Sequence, residues 1–121
     1  MGLQCLIVDD SQTFLASATR LLGAQGLDIV GRACSSAEAV RLARELRPDV
    51  ALVDIELDGT TGFDVARSLS AEVPTAQVVL ISTHDQGELA SLIAKSRAIG
   101  FLQKQALSAE AIAALVRRHA R

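Results

Sequence analysis

The sequence predicts an α/β fold: one domain built on a five-stranded parallel sheet with helices on both faces. Three observations predict it. Strand-like and helix-like patterns alternate five times along the 121 residues, with short connections between them; such alternation argues for parallel βαβ units rather than hairpins. The runs Leu6-Ile7-Val8 and Val50-Ala51-Leu52-Val53 are apolar on both faces, as strands covered from two sides must be. Hydrophobic residues make up 50% of the chain and charged residues 21%, a globular composition at a length that suits a single core.

The elements follow in order. Leu3–Val8 reads as the first strand, and Ser11–Ala24 as a helix with Phe14, Leu15, Ala18, Leu21 and Leu22 on one face. Gly23 and Gly26 supply its stop. Leu27–Ala33 is a second strand, and polar Asp28 and Arg32 place it near a sheet edge. Ser35-x-x-Glu38 fits a capping box. The helix it opens carries Ala39, Val40, Ala43 and Leu46 and stops before Pro48. Val50–Val53 is the third strand, and a central one. Gly59 and Gly62 bracket a loop, Phe63–Leu69 starts the third helix, and Pro74 closes it. Gln77–Ser82 is the fourth strand. Asp85-x-x-Glu88 resembles a second capping box, opening a helix through about Lys95. Ile99–Gln103 is a short fifth strand. Ser108 caps the last helix, with Ile112, Leu115 and Val116 facing inward. Arg117, Arg118 and Arg121 sit near its carboxyl end, which favours positive charge.

Composition excludes several classes of function. A net charge of −2 offers no global field for nucleic acid. The aromatics are only Phe14, Phe63 and Phe101, too few for a platform that stacks single-stranded bases. No apolar stretch approaches the ~20 residues of a membrane span, and nothing reads as a signal peptide. Cys5 and Cys34 lie in or beside strands and read as small buried hydrophobes. No disulfide framework is indicated, which fits a reducing cytoplasm.

The chemistry gathers at the strand ends. In an open parallel sheet ligands bind beyond the carboxyl ends of the strands. Here the first strand ends in Asp9-Asp10, the third in Asp54 and the fourth in Ser82-Thr83, while the fifth leads to Lys104. The first connection, Asp-Asp-Ser-Gln, has none of the glycines that cradle phosphate; its charge attracts a cation instead. Two carboxylates ~5 Å apart repel by roughly 3 kcal/mol at an effective dielectric near 20, and a hard divalent cation relieves that. An oxygen-only donor set points to Mg2+ or Mn2+ rather than Zn2+. With a cation beside it, Asp54 becomes a candidate nucleophile towards phosphorus, forming an aspartyl phosphate. Lys104 would help neutralise the transferring oxygens, and Ser82 would donate to the new group.

On these residues the chain resembles the receiver domain of bacterial two-component response regulators over essentially its whole length, 1–121. The matching features are Asp9-Asp10, Asp54 within Val-Asp-Ile-Glu-Leu, Gly62, Ser82 and Phe101-Leu-Gln-Lys104. Each is common alone; together, in order and spacing, they are specific. His84-Asp85 and Gly100-Phe101 look most like receivers whose regulators carry a helix-turn-helix output domain. The resemblance implies a flavodoxin-like (βα)5 fold with strand order 2-1-3-4-5. It implies Mg2+-dependent transfer of a phosphoryl group from a sensor histidine kinase's phosphohistidine to Asp54. Asp10 would ligate Mg2+ directly, Asp9 through water and Glu56 through its backbone carbonyl; Mn2+ is the alternative ion. Lys104 would pair with the phosphoryl group, and Ser82 and Phe101 would form the switch pair. The signalling face would be the last helix-strand-helix region, with homodimers through that face or through the first and last helices. Direct nucleic-acid binding and membrane association are not implied, and a cytoplasmic location is.

Some positions depart from the family pattern. Asp58 stands where Pro is usual, Thr83 where Ala or Gly is common, and Ser96-Arg97 where a small residue and Gly end the fourth helix. His84 and His119 read as surface residues, Asp58 as a turn residue, and Glu56 as a solvent-facing side chain. The expected function is a phosphorylation-switched signalling domain rather than a turnover enzyme. Two alternatives belong to other classes. One is a degenerate receiver acting as a phosphate-independent binding module. The other is a small phosphohydrolase of the haloacid-dehalogenase type, using Asp54 and Glu56. The sequence is compatible with a standalone receiver and with part of a longer regulator.

Overall fold

Along the chain the elements are β1 (Gln4–Val8), α1 (Gln12–Ala24), β2 (Asp28–Ala33), α2 (Ser36–Leu46), β3 (Val50–Asp54), β4 (Glu56–Leu57), β5 (Thr60–Thr61), α3 (Gly62–Glu72), β6 (Gln77–Ser82), α4 (Ala90–Lys95), β7 (Gly100–Gln103) and α5 (Ala109–His119). The computed structural model describes residues 2–57, 59–85 and 87–119, apart from the side chain of Glu88. Asp58 and Arg121 lie outside the described residues.

The sheet is parallel throughout, in the order β2-β1-β3-β6-β7. This is the predicted 2-1-3-4-5 arrangement, with β3 buried at every position and β2 on an edge. Alternate side chains feed two cores. Leu6, Val8, Ala51, Val53, Val78 and Leu80 face α2 and α3. Cys5, Ile7, Val50, Leu52, Val79 and Ile81 face α1 and α5. The helices therefore sandwich the sheet, which explains why the central strands carry no polar face.

Local chemistry decides the ends of the elements. Ser11 caps α1 by accepting the Phe14 N–H, and Ser108 accepts the Ala111 N–H at the start of α5. Ser35 accepts the Glu38 N–H, but the Glu38 carboxylate reaches back to the Cys34 N–H rather than to that of Ser35. Gly23 lies inside α1; the turn after the helix is made by Gly26, at φ 102°, a conformation that favours glycine.

Four further details differ from the sequence reading. Leu21 is 46% exposed: six positions after Leu15, it lies about 120° round the helix from it. Cys5 is buried, but Cys34 is half-buried, its sulfur accepting from Gln12 Nε2 at 3.0 Å. The loop after Asp54 contains a small antiparallel hairpin, β4–β5. The fourth helix does not start at a box on Asp85. A 3-10 turn, Gly87–Leu89, precedes it, and no side chain caps α4; glycine in what would be the first turn weakens helix there.

Candidate functional site

Register brings the site together. Val8 pairs with Val53, Asp54 with Ile81, and Ser82 with Gln103. The residue after β1, the end of β3, the end of β6 and the residue after β7 therefore meet on one rim. They are Asp9, Asp54, Ser82 and Lys104, as the sequence predicts.

Asp9 is fully buried. One of its oxygens accepts the Ser11 N–H at 2.8 Å, and the other accepts Lys104 Nζ at 2.6 Å. The same Nζ lies 3.5 Å from Asp54 Oδ2. The other oxygen of Asp54 accepts the Glu56 N–H at 3.3 Å. Lys104, expected to pair with a phosphoryl group, is thus held mainly by Asp9. Ser82 is buried, its hydroxyl oxygen accepting the His84 N–H at 3.1 Å. Asp10 is exposed at the mouth. Glu56 and His84 face solvent, their side chains 3.5 Å apart. Thr83 is exposed, and its carbonyl accepts from Gln105 Nε2. Phe101 is half-buried and packs against the α2–α3 core.

Burial, reinforced by the Asp9 carboxylate, raises the Asp54 pKa to about 6; Lys104 and the Glu56 N–H pull the other way. One carboxylate oxygen from each of Asp9, Asp10 and Asp54 lies within 4.8 Å of the others. Among the described residues, three carboxylates gather around the Lys104 ammonium, an excess of negative charge. That charge and the all-oxygen donor set fit a hard divalent cation.

Two residues of the site were not visible as such in the sequence. Phe14 read only as part of an apolar helix face, yet Lys104 Nζ lies 4.1 Å from the centre of its ring. Ser11 read as a helix start, and its N–H also fixes the Asp9 carboxylate. The available signal was position: both lie just after the acids, where the first turn of α1 must face the rim.

A parallel sheet in this order, with an aspartate cluster and a lysine on its carboxyl rim, is the architecture of a signal receiver. The family model for the response regulator receiver domain matches residues 5–117, and the chain belongs to that family. Among relatives, the response regulator GacA of Pseudomonas viridiflava is 32% identical over 114 residues, covering 93% of this chain and 53% of that protein. The response regulator UvrY of Escherichia coli K12 is 27% identical over 111 residues, 91% of this chain and 51% of that protein. The chain thus spans about half the length of these relatives. The signal receiver domain of NarL from Mycobacterium tuberculosis superposes with a TM-score of 0.84 at 30% identity, covering 96% of this chain and 97% of that one.

Proposed function

We infer that Asp54 is the phosphoacceptor of this receiver and that a sensor histidine kinase is its donor. The observation that supports this most is the setting of Asp54: a buried carboxylate at a strand end, 3.5 Å from the Lys104 ammonium and beside Asp9. In the reaction an Asp54 oxygen forms a bond to phosphorus as the bond from phosphorus to the donor histidine nitrogen breaks, and the histidine keeps the electron pair and takes up a proton. Lys104 Nζ faces the oxygen that must stay ionised to attack, and it stands where charge grows on the phosphoryl oxygens. The Glu56 N–H holds the other carboxylate oxygen, so the nucleophile keeps one orientation. Ser82 would turn its hydroxyl towards the new group, and Phe101 would follow it as the switch partner.

Mg2+, or Mn2+ in its place, would be held by Asp9, Asp10, Asp54 and the Glu56 carbonyl, and when bound it supplies charge that offsets that of the phosphoryl oxygens. Asp9 has both oxygens already engaged by protein donors, which suits an indirect contact, and exposed Asp10 suits a direct one. Residues 1–121 act as one receiver domain in this reading. The phosphoryl state would be read through the α4–β7–α5 face or through α1 and α5, in a homodimer or by an output domain that regulates transcription. Among the described residues no helix is long and apolar enough to cross a membrane, in keeping with a cytoplasmic role.

The test is direct. Incubated with acetyl phosphate and Mg2+, the wild-type chain should gain one phosphoryl group by intact-mass spectrometry, and Asp54→Ala should gain none. Equal labelling of the variant would show that another residue is the acceptor.

A further inference from the structure

The Lys104 side chain is only 15% exposed, and its ammonium carries three N–H donors. Two sides face carboxylates: Asp9 Oδ2 at 2.6 Å and Asp54 Oδ2 at 3.5 Å. A third faces the Phe14 ring, with Nζ 4.1 Å from its centroid. That distance is well inside the range where a ring's negative face attracts a cation.

Packing alone does not ask for an aromatic ring at this position. The buried stripe of α1 is Leu15, Ala18 and Leu22, and Phe14 sits at its margin, on the flank where Leu21 stays 46% exposed. Phe14 packs against the edge of the α1–α5 core, and its ring also lies beneath the ammonium. A short relay of hydrogen bonds also ties the ring to the acids. The Asp9 carboxylate accepts the Ser11 N–H, and the Ser11 hydroxyl accepts the Phe14 N–H. The turn that orients Asp9 thereby sets the backbone that carries the ring.

We propose that Phe14 is a positioning residue for phosphoryl transfer: its ring face holds the Lys104 ammonium between Asp9 and Asp54 and keeps water from its third side. The proposal rests on the reading of Asp54 as acceptor. Lys104 is already nearer Asp9 than Asp54. Without the ring, the ammonium would be free to swing towards Asp9 or to take on water, and either movement leaves Asp54 less well served. A leucine at position 14 keeps apolar bulk but has no π face.

The experiment measures the rate of Asp54 labelling by acetyl phosphate and Mg2+, with the melting temperature of each variant recorded. Phe14→Leu should slow labelling roughly 2- to 30-fold, the range expected for a partly desolvated cation–π contact. Phe14→Tyr, which keeps the face, should restore it to near the wild-type rate. In a Lys104→Gln background, Phe14→Leu should have no further effect, since the ring acts through the ammonium. If Phe14→Leu does not fold, Phe14→Met takes its place in the same cycle. A labelled wild type with Phe14→Leu at the same rate overturns the role of Phe14 alone, as does an equal loss with and without Lys104. An unlabelled wild type overturns the acceptor reading itself, and this proposal with it.

Discussion

Asp54 is the side chain whose charge state matters most, and pH reads it. Burial and the Asp9 carboxylate raise its pKa to about 6 from an ordinary 3.8. Between those two values the folded chain binds more protons than the unfolded one. Stability therefore falls as pH rises through that window, and the full cost of the charge is present above it. Two pH units correspond to about 3 kcal/mol as an order of magnitude. Asp54→Asn removes the charge but keeps an oxygen for the Glu56 N–H. Without divalent cations it should be more stable than the wild type by about 1–3 kcal/mol at pH 8, with the gain vanishing by pH 4. Urea denaturation across that range measures it, and a gain equal at both ends would show that the buried charge is not its source. The acids, Ser82 and Lys104 were legible in sequence because a polar residue ending an apolar strand needs only parallel pairing to reach a shared rim. The 2.6 Å pairing of Lys104 with Asp9 was not legible, nor was the ring beneath Lys104. The ring contact depends on where α1 settles over the sheet, and the pairing on the direction the Lys104 side chain takes; no local pattern encodes either.

Among the elements, the junction between β3 and α3 constrains the site most tightly. The Gly62 N–H donates to the Ile55 carbonyl at 2.7 Å. A Cβ on Gly62 would collide with the Asp54 carbonyl oxygen and lie 2.8 Å from Ile55 Cα. Both obstacles are backbone, so they cannot turn aside as a side chain would. Gly62→Ala should destabilise the fold by about 1–3 kcal/mol, seen as a lower melting temperature, and should slow phosphoryl labelling because Asp54 shifts. A variant as stable as the wild type would show that the close approach is relieved at no cost. The existence and type of the sheet strands and the long helices were readable from periodicity and caps, while the strand order was implied by the family resemblance. The β4–β5 hairpin was not, since two-residue strands carry no period. The end of α4 shows how chemistry replaces an expected glycine. The buried Ser96 hydroxyl donates to the Ile93 carbonyl and accepts the Ala98 N–H. This leaves Arg97 at φ 70°, so the side chain of Ser96 does the stopping that a glycine would otherwise do.

For the molecule as a whole, the parallel sheet brings three carboxylates onto one rim beside the Lys104 ammonium, and folding must meet their mutual repulsion. A cation that binds only the folded arrangement should therefore stabilise the entire domain. At Mg2+ ten times its dissociation constant the gain is about 1.4 kcal/mol, or a rise of roughly 5 °C in melting temperature for a chain of this size. Potassium at matched ionic strength should give much less, because screening alone does not relieve a buried cluster as a bound ion does. Asp10→Asn is the informative variant. Asp10 is exposed, so its loss leaves no hole in the core, and the fold should survive while the Mg2+-induced rise falls to less than about half at the same concentration. The rise should also shrink below pH 6, where protonated Asp54 no longer offers a ligand. Thermal denaturation over a Mg2+ titration at pH 8 and pH 5 tests both statements. An Asp10→Asn chain that gains as much as the wild type would place the cation elsewhere on the surface.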